Sequence, residues 1–223
     1  MTFSIVAFDA KTGMMGIAVA TKHLAVGALV PHAKARVGAI ATQAETNPLL
    51  GIRGIERLEQ ACHMPTHQNK NASAERVLQT LINEDIAREQ RQLHLVNHYG
   101  DTAAWTGRDC IEWAGHFTFP GFSVAGNMLT GEPTLTAMAD EYHRAEREPF
   151  CHRLLLALAA GDAAGGDKRG RQSAALYVVD VDVYPYLDLR VDHHEQPIES
   201  LRILFEESCK DYYRSFRQSM PSE

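Results

Sequence analysis

Cysteine is scarce in this chain and never closely spaced: Cys62, Cys110, Cys151 and Cys209 stand far apart, with no CxxC pair. That spacing indicates neither a zinc knuckle nor a disulfide framework. Positive charge is in deficit, 22 Lys and Arg against 28 Asp and Glu, and both signs are scattered along the chain. With no basic stripe to neutralise a phosphate backbone, nucleic acid is not an expected partner. No run of 18 apolar residues occurs and no charged-then-apolar leader opens the chain, so no membrane association is expected. Together these absences predict a reduced, soluble, cytoplasmic protein. Linkers, internal repeats and low-complexity tracts are also missing, so residues 1–223 read as one domain, with 45% apolar residues to build a sizeable core.

Apolar residues occupy nearly every position of 3–8 and 14–20, separated only by Asp9-Ala-Lys-Thr-Gly13. A five-residue connection with glycine predicts an antiparallel hairpin. Strands buried on both faces are usual in parallel sheets clad by helices. Two antiparallel sheets packed on each other, each covered outside by helices, reconcile the two observations. This is an α+β chain arranged as an αββα sandwich. A third strand, 37–43, follows a loop around Pro31.

Helical periodicity then takes over for 49–62 and 73–83, with Ser73 as N-cap. Strands resume at 92–97, 102–105 and 122–125, the first two joined by a turn at Tyr99-Gly-Asp101. Helices follow from Pro133 and from Pro149, the latter ending at Gly161, which is the usual placement of proline and glycine. A strand at 174–179, an extended segment at 187–191 and one helix from Pro197 through Phe216 complete the chain.

Chemistry is expected first at Thr2. Once Met1 is removed, this residue carries a hydroxyl and a free α-amine, a nucleophile with its own base. Lys22, just after the second strand, is placed to keep that amine neutral and to stabilise a developing alkoxide; Lys34 and Arg36 compete for the role. Three glycines with Lys168, Arg169 and Arg171 make 164–173 a candidate anion site, against the plainer reading in which Asp167 pairs with an arginine inside the loop. Asp167, Arg169, Arg171 and Gln172 are the substrate-binding candidates. Asn127 ends a strand after glycine, where an amide could face a reacting oxygen. The histidines do not gather: Pro65 separates His63 from His67, His94 and His98 lack a third ligand, and His193-His194 precede a helix as cap and loop residues. Neither a metal nor a cofactor is expected.

The segments Thr2-Phe-Ser-Ile-Val-Ala, Gly16-Ile-Ala-Val-Ala, Val26-Gly with Val30-Pro31, Gly38-Ala-Ile-Ala-Thr-Gln43, Gly126-Asn127 and 164–174 together resemble the family called domain of unknown function 1028. The resemblance runs from Thr2 to about Leu204. It implies an N-terminal-nucleophile (Ntn) hydrolase fold, the αββα sandwich, with Thr2 at the nucleophile's place. The opening is also similar to that of proteasome-like chains, whose acidic residue after the second strand falls here at Thr21 or Lys22. The expected activity is hydrolysis of a small carboxylated amide: Thr2 attacks, Lys22 or Lys34 tunes its amine, Asn127 assists at the oxyanion, and Arg169 or Arg171 anchors the substrate. Lysine in place of the acid supports the other expectation, a non-catalytic binding protein for a small molecule. Self-association into a homo-oligomer is left open.

Overall fold

The computed structural model describes residues 2–62 and 74–222. The expected hairpin forms from β1 (Thr2–Phe8) and β2 (Met15–Thr21), antiparallel with Thr2 opposite Thr21 and Phe8 opposite Met15. On its other side β1 pairs with β8 (Phe122–Asn127), again antiparallel, which brings Asn127 opposite Thr2. With β7 (Gly115–Phe119), β9 (Ser173–Val179) and β10 (Leu187–Val191) these strands form a six-stranded sheet in the order β10-β9-β2-β1-β8-β7. The second sheet has four strands in the order β3-β4-β5-β6, from Pro31–Lys34, Gly38–Ala44, Arg91–Asn97 and Thr102–Thr106.

Three separate apolar clusters show why the strands are apolar on both faces. Phe3, Ile5 and Ala7 pack under α3 (Pro133–Arg144), α4 (Phe150–Ala163) and α5 (Pro197–Ser208). Val6, Ile17, Val19, Ala39, Ala41 and Val96 fill the space between the sheets. Ile40, Leu93 and Leu95 meet α1 (Pro48–Cys62) and α2 (Ala74–Glu84) on the far side. Successive strand residues point to opposite faces, so an inner strand of either sheet serves two cores at once. The four layers are therefore helices, sheet, sheet, helices, the αββα sandwich.

Three local differences from the expectation have physical causes. The segment around Pro31 is the edge strand β3, with proline at its first residue, a position where a missing N–H costs no ladder bond. Strand β7 is not among the strands expected above; the two-residue turn Pro120-Gly121, with Gly121 at φ 85, folds it back on β8 at the sheet edge. The final helix is two: Lys210 turns extended at ψ 151, and α6 (Asp211–Gln218) restarts with Asp211 in its first turn, where a carboxylate favours the helix N-terminus. The Ser73 cap lies outside the described residues.

Candidate functional site

Thr2, Thr21 and Asn127 form one row across the centre of the six-stranded sheet, all nearly buried and all facing the other sheet. The Thr2 hydroxyl donates to Thr21 Oγ1 at 3.2 Å. This row is the floor of a cavity of about 500 Å3, a size typical of small-molecule sites. Its walls come from three loops: Leu24, Val26 and Leu29 after β2, Glu45 and Thr46 after β4, and Asp109, Cys110 and Ile111 after β6. Arg169 closes the remaining side.

Below the floor, the space between the sheets changes character along β1. Toward Phe8 it is apolar, while toward Thr2 it holds a chain of buried polar side chains. Gln92 Nε2 has three acceptors within reach of its two N–H groups: the carbonyls of Gly126 at 2.8 Å and Gly115 at 3.0 Å, and Thr106 Oγ1 at 2.9 Å. Its Oε1 accepts from Gln43 Nε2 at 2.7 Å and from Asn127 Nδ2 at 3.0 Å. The Ser4 hydroxyl donates to Gln43 Oε1 at 2.7 Å and lies 2.8 Å from His94 Nε2, whose ring continues through Nδ1 to Ser123 Oγ at 2.8 Å. Burial pushes the His94 imidazole down to about 3, helped by the nearby His116, so at neutral pH it is an uncharged core residue. Each side chain named in this layer makes at least one hydrogen bond, as burial demands.

The loop candidates are placed as follows. Gly165 and Gly166 adopt left-handed backbone, and their amides close the end of α4 on the carbonyls of Asp162 and Gly161 in a Schellman arrangement. The expected anion nest is thus corrected: those two amides are spent on the helix end. Asp167 is likewise a structural acceptor: its carboxylate takes the backbone amides of Lys22 (3.0 Å) and Arg169 (2.8 Å), and the Arg169 guanidinium at 3.4 Å. Arg171 pairs with Asp162 at 3.1 Å, where burial raises the Asp162 carboxyl despite its partner. Gln172 contacts His193 Nδ1 at 3.1 Å and exchanges backbone bonds with Thr21 and His194. Of the four substrate-binding candidates, only Arg169 lines the cavity.

Lys22 and Lys34 need correction too. The Lys22 ammonium is exposed and reaches the Arg171 carbonyl at 3.5 Å, so what it brings inward is its backbone N–H. Lys34 pairs with Glu59 at 2.5 Å. It sits opposite Gly38, the end of β4 away from the cavity's Ala44, roughly 20 Å off at the usual rise per strand residue. Arg36 lies in the same remote turn. Among the described residues no group of three metal-ligating side chains gathers; His98 meets Cys62 at 3.3 Å, and His63 and His67 lie outside those residues. The expected histidine cap is corrected: α5 has Gln196 at its N-cap with no side-chain cap bond, and His194 lies two residues before it, its Nδ1 accepting from the Gln196 amide at 2.9 Å.

Gln43, Gln92, Ser4 and Ser123 are not among the site residues expected above, although the sequence carries a signal for them. Polar residues at 92 and 94 alternate with Leu93 and Leu95, and Ser4 falls in phase with Thr2. The loop residues Glu45, Asp109 and Ile111 had none. Backbone strain also collects here: Ala44 and Met128 line the cavity at φ 70 and 51, and Ala25, at φ 54, sits between two lining residues. Left-handed non-glycine residues gather preferentially at functional sites. The Asp109–Ile111 wall depends on Gly107, where an added Cβ would lie 2.3 Å from the Glu89 carbonyl oxygen. Gly107→Ala is expected to cost about 1–3 kcal/mol from overpacking against backbone, read as a lowered urea midpoint.

Comparison with known proteins agrees with this architecture. The profile of the family of unknown function DUF1028 matches residues 2–201. Protein SPO2555 from Silicibacter pomeroyi, a DUF1028 protein of known crystal structure, is 31% identical with a TM-score of 0.87, over 99% of this chain and 95% of that one. Anbu, the ancestral beta-subunit from Yersinia bercovieri, aligns over 99% of both chains at 13% identity and a TM-score of 0.40, a likeness too distant to bear on function. No curated protein matches. No helix among the described residues is long and apolar enough to cross a membrane. The row of Thr2, Thr21 and Asn127, the Gly126-Asn127 strand end and the 164–174 loop are thus features of a chain that belongs to the DUF1028 family.

Proposed function

We propose that this protein is an N-terminal-nucleophile amide hydrolase acting on a small carboxylated amide. The observation that carries the reading is the position of Thr2: a hydroxyl on the floor of a small-molecule cavity, on the first residue of the central strand. After removal of Met1, Thr2 Oγ1 attacks the substrate carbonyl carbon and its proton passes to the α-amine. The C–N bond then breaks, the leaving amine takes that proton, and water hydrolyses the resulting ester to restore the hydroxyl. Among the described residues Arg169 is the one arginine or lysine on the cavity wall, its guanidinium 3.4 Å from Asp167 and its side chain 39% exposed. It anchors the substrate carboxylate, while Leu24, Leu29 and Ile111 offer an apolar surface to the rest of the molecule.

Release of amine from a panel of N-acyl amino acids and carboxylated primary amides by the untagged protein tests the reading. A ligand that binds tightly and returns intact would instead support a non-catalytic binding protein, the reading favoured by Lys22 standing where proteasome-like chains carry an acid and by the lack of a lysine among the described residues that line the cavity. Arg169→Ala is expected to raise KM for carboxylated substrates by about 10- to 100-fold, the loss of one charge-assisted contact, and to leave neutral amides unaffected. Initial-rate measurements on matched acid and ester substrates check this.

A further inference from the structure

The amide of Asn127 has only one orientation that its surroundings permit, and two backbone carbonyls decide it. The Gly115 and Gly126 carbonyls can only accept, so the end of Gln92 that touches both must be its NH2 group. Gln92 Oε1 therefore faces Gln43 and Asn127, and each must present a donor to it. Asn127 Nδ2 is turned down into the sheet interface at 3.0 Å from that oxygen. The same reasoning continues outward: Gln43 Oε1 must accept from Ser4, leaving the Ser4 oxygen to accept from His94 Nε2–H. With Nδ2 held against Gln92, the acceptor that Asn127, a cavity-lining residue, keeps for a further partner is Oδ1.

An acceptor in that place suits a different partner from an oxyanion, which two lone-pair oxygens would repel. Thr2 is directly opposite Asn127 in the β1–β8 register, and opposed side chains on one sheet face have Cβ atoms about 4.5–5.5 Å apart. We infer that Asn127 Oδ1 accepts a hydrogen bond from the α-amine of Thr2 in the mature chain, with Gln92 as the residue that holds the amide in that sense. This rests on the reading of Thr2 as the N-terminal nucleophile. It assigns Asn127 to the general base, whose lone pair it aims at the Thr2 hydroxyl, and not to the oxyanion.

The test is the pH dependence of covalent labelling of the mature protein by a β-lactone, followed by intact mass. The rising limb reports deprotonation of the amine. Asn127→Asp places a carboxylate against the ammonium and should move the limb's midpoint up by about one pH unit or more. Asn127→Ala removes the acceptor and should move it down, and Gln92→Met should repeat that downward shift by releasing the amide. Opposite shifts in the two Asn127 variants support the inference, and the Ala variant remains informative if the buried carboxylate impairs folding. Labelling that slows in both Asn127 variants with an unmoved midpoint would show the amide acting as a donor to the oxyanion and would overturn it. Native protein that is never labelled would remove the nucleophile reading itself, and this inference with it.

Discussion

Thr2→Ala is expected to lower covalent capture and amide turnover by on the order of 10³-fold or more, the usual consequence of deleting a nucleophile. The fold should hardly notice. Thr2 makes one side-chain hydrogen bond, to Thr21 at 3.2 Å, and such a bond contributes about 0.5–1.5 kcal/mol. Activity and stability therefore separate in this variant, which is what a catalytic hydroxyl predicts and a packing residue does not. Thr2→Ser keeps the hydroxyl and loses a methyl group, so capture should persist at reduced rate. A form that retains an N-terminal extension keeps both hydroxyl and fold but loses the amine, and it should be inactive. Intact-mass analysis after β-lactone treatment reads all four proteins. An adduct that survives in Thr2→Ala would place the nucleophile elsewhere.

The second large effect is on stability in acid. His94 is fully buried, and burial lowers its imidazole from 6.5 to about 3. Below pH 6.5 the unfolded chain binds a proton at this residue that the folded chain refuses until about pH 3. The contribution is thus fully present above pH 6.5 and is lost as the pH falls through that window. Between pH 7.5 and 4.5 the loss amounts to about 3 kcal/mol from this one group, at 1.36 kcal/mol per pH unit. His32 and His116, also lowered mainly by burial, act in the same direction. Urea titrations at the two pH values should show the native protein losing that much more stability than His94→Gln, whose amide offers one donor and one acceptor to Ser4 and Ser123 without titrating. Equal losses in the two proteins would mean that the imidazole is solvated in the folded state.

The sequence by itself determined the layers. Apolar residues on both faces of 3–8 and 14–20, joined by a loop too short for a crossover, require two sheets with helices outside, because local periodicity and turn length directly report which faces are buried. It also pointed to Thr2, a hydroxyl on the first residue of an apolar strand. Convergence was different. Lys22 and Lys34 looked equivalent along the chain, yet one spends its ammonium on the surface and the other lies at the far end of β4, because the direction of a long side chain is set by register and solvent. The glycines of 164–173 looked like an anion nest, but the end of α4 had a prior need for their amides. Gln92 is the plainest case: a polar residue in an apolar strand acquires its role from two carbonyls, at Gly115 and Gly126, on strands of the opposite sheet. Only the tertiary structure could decide that pairing, since buried hydrogen-bond partners are chosen by which strands pack face to face and not by spacing along the chain.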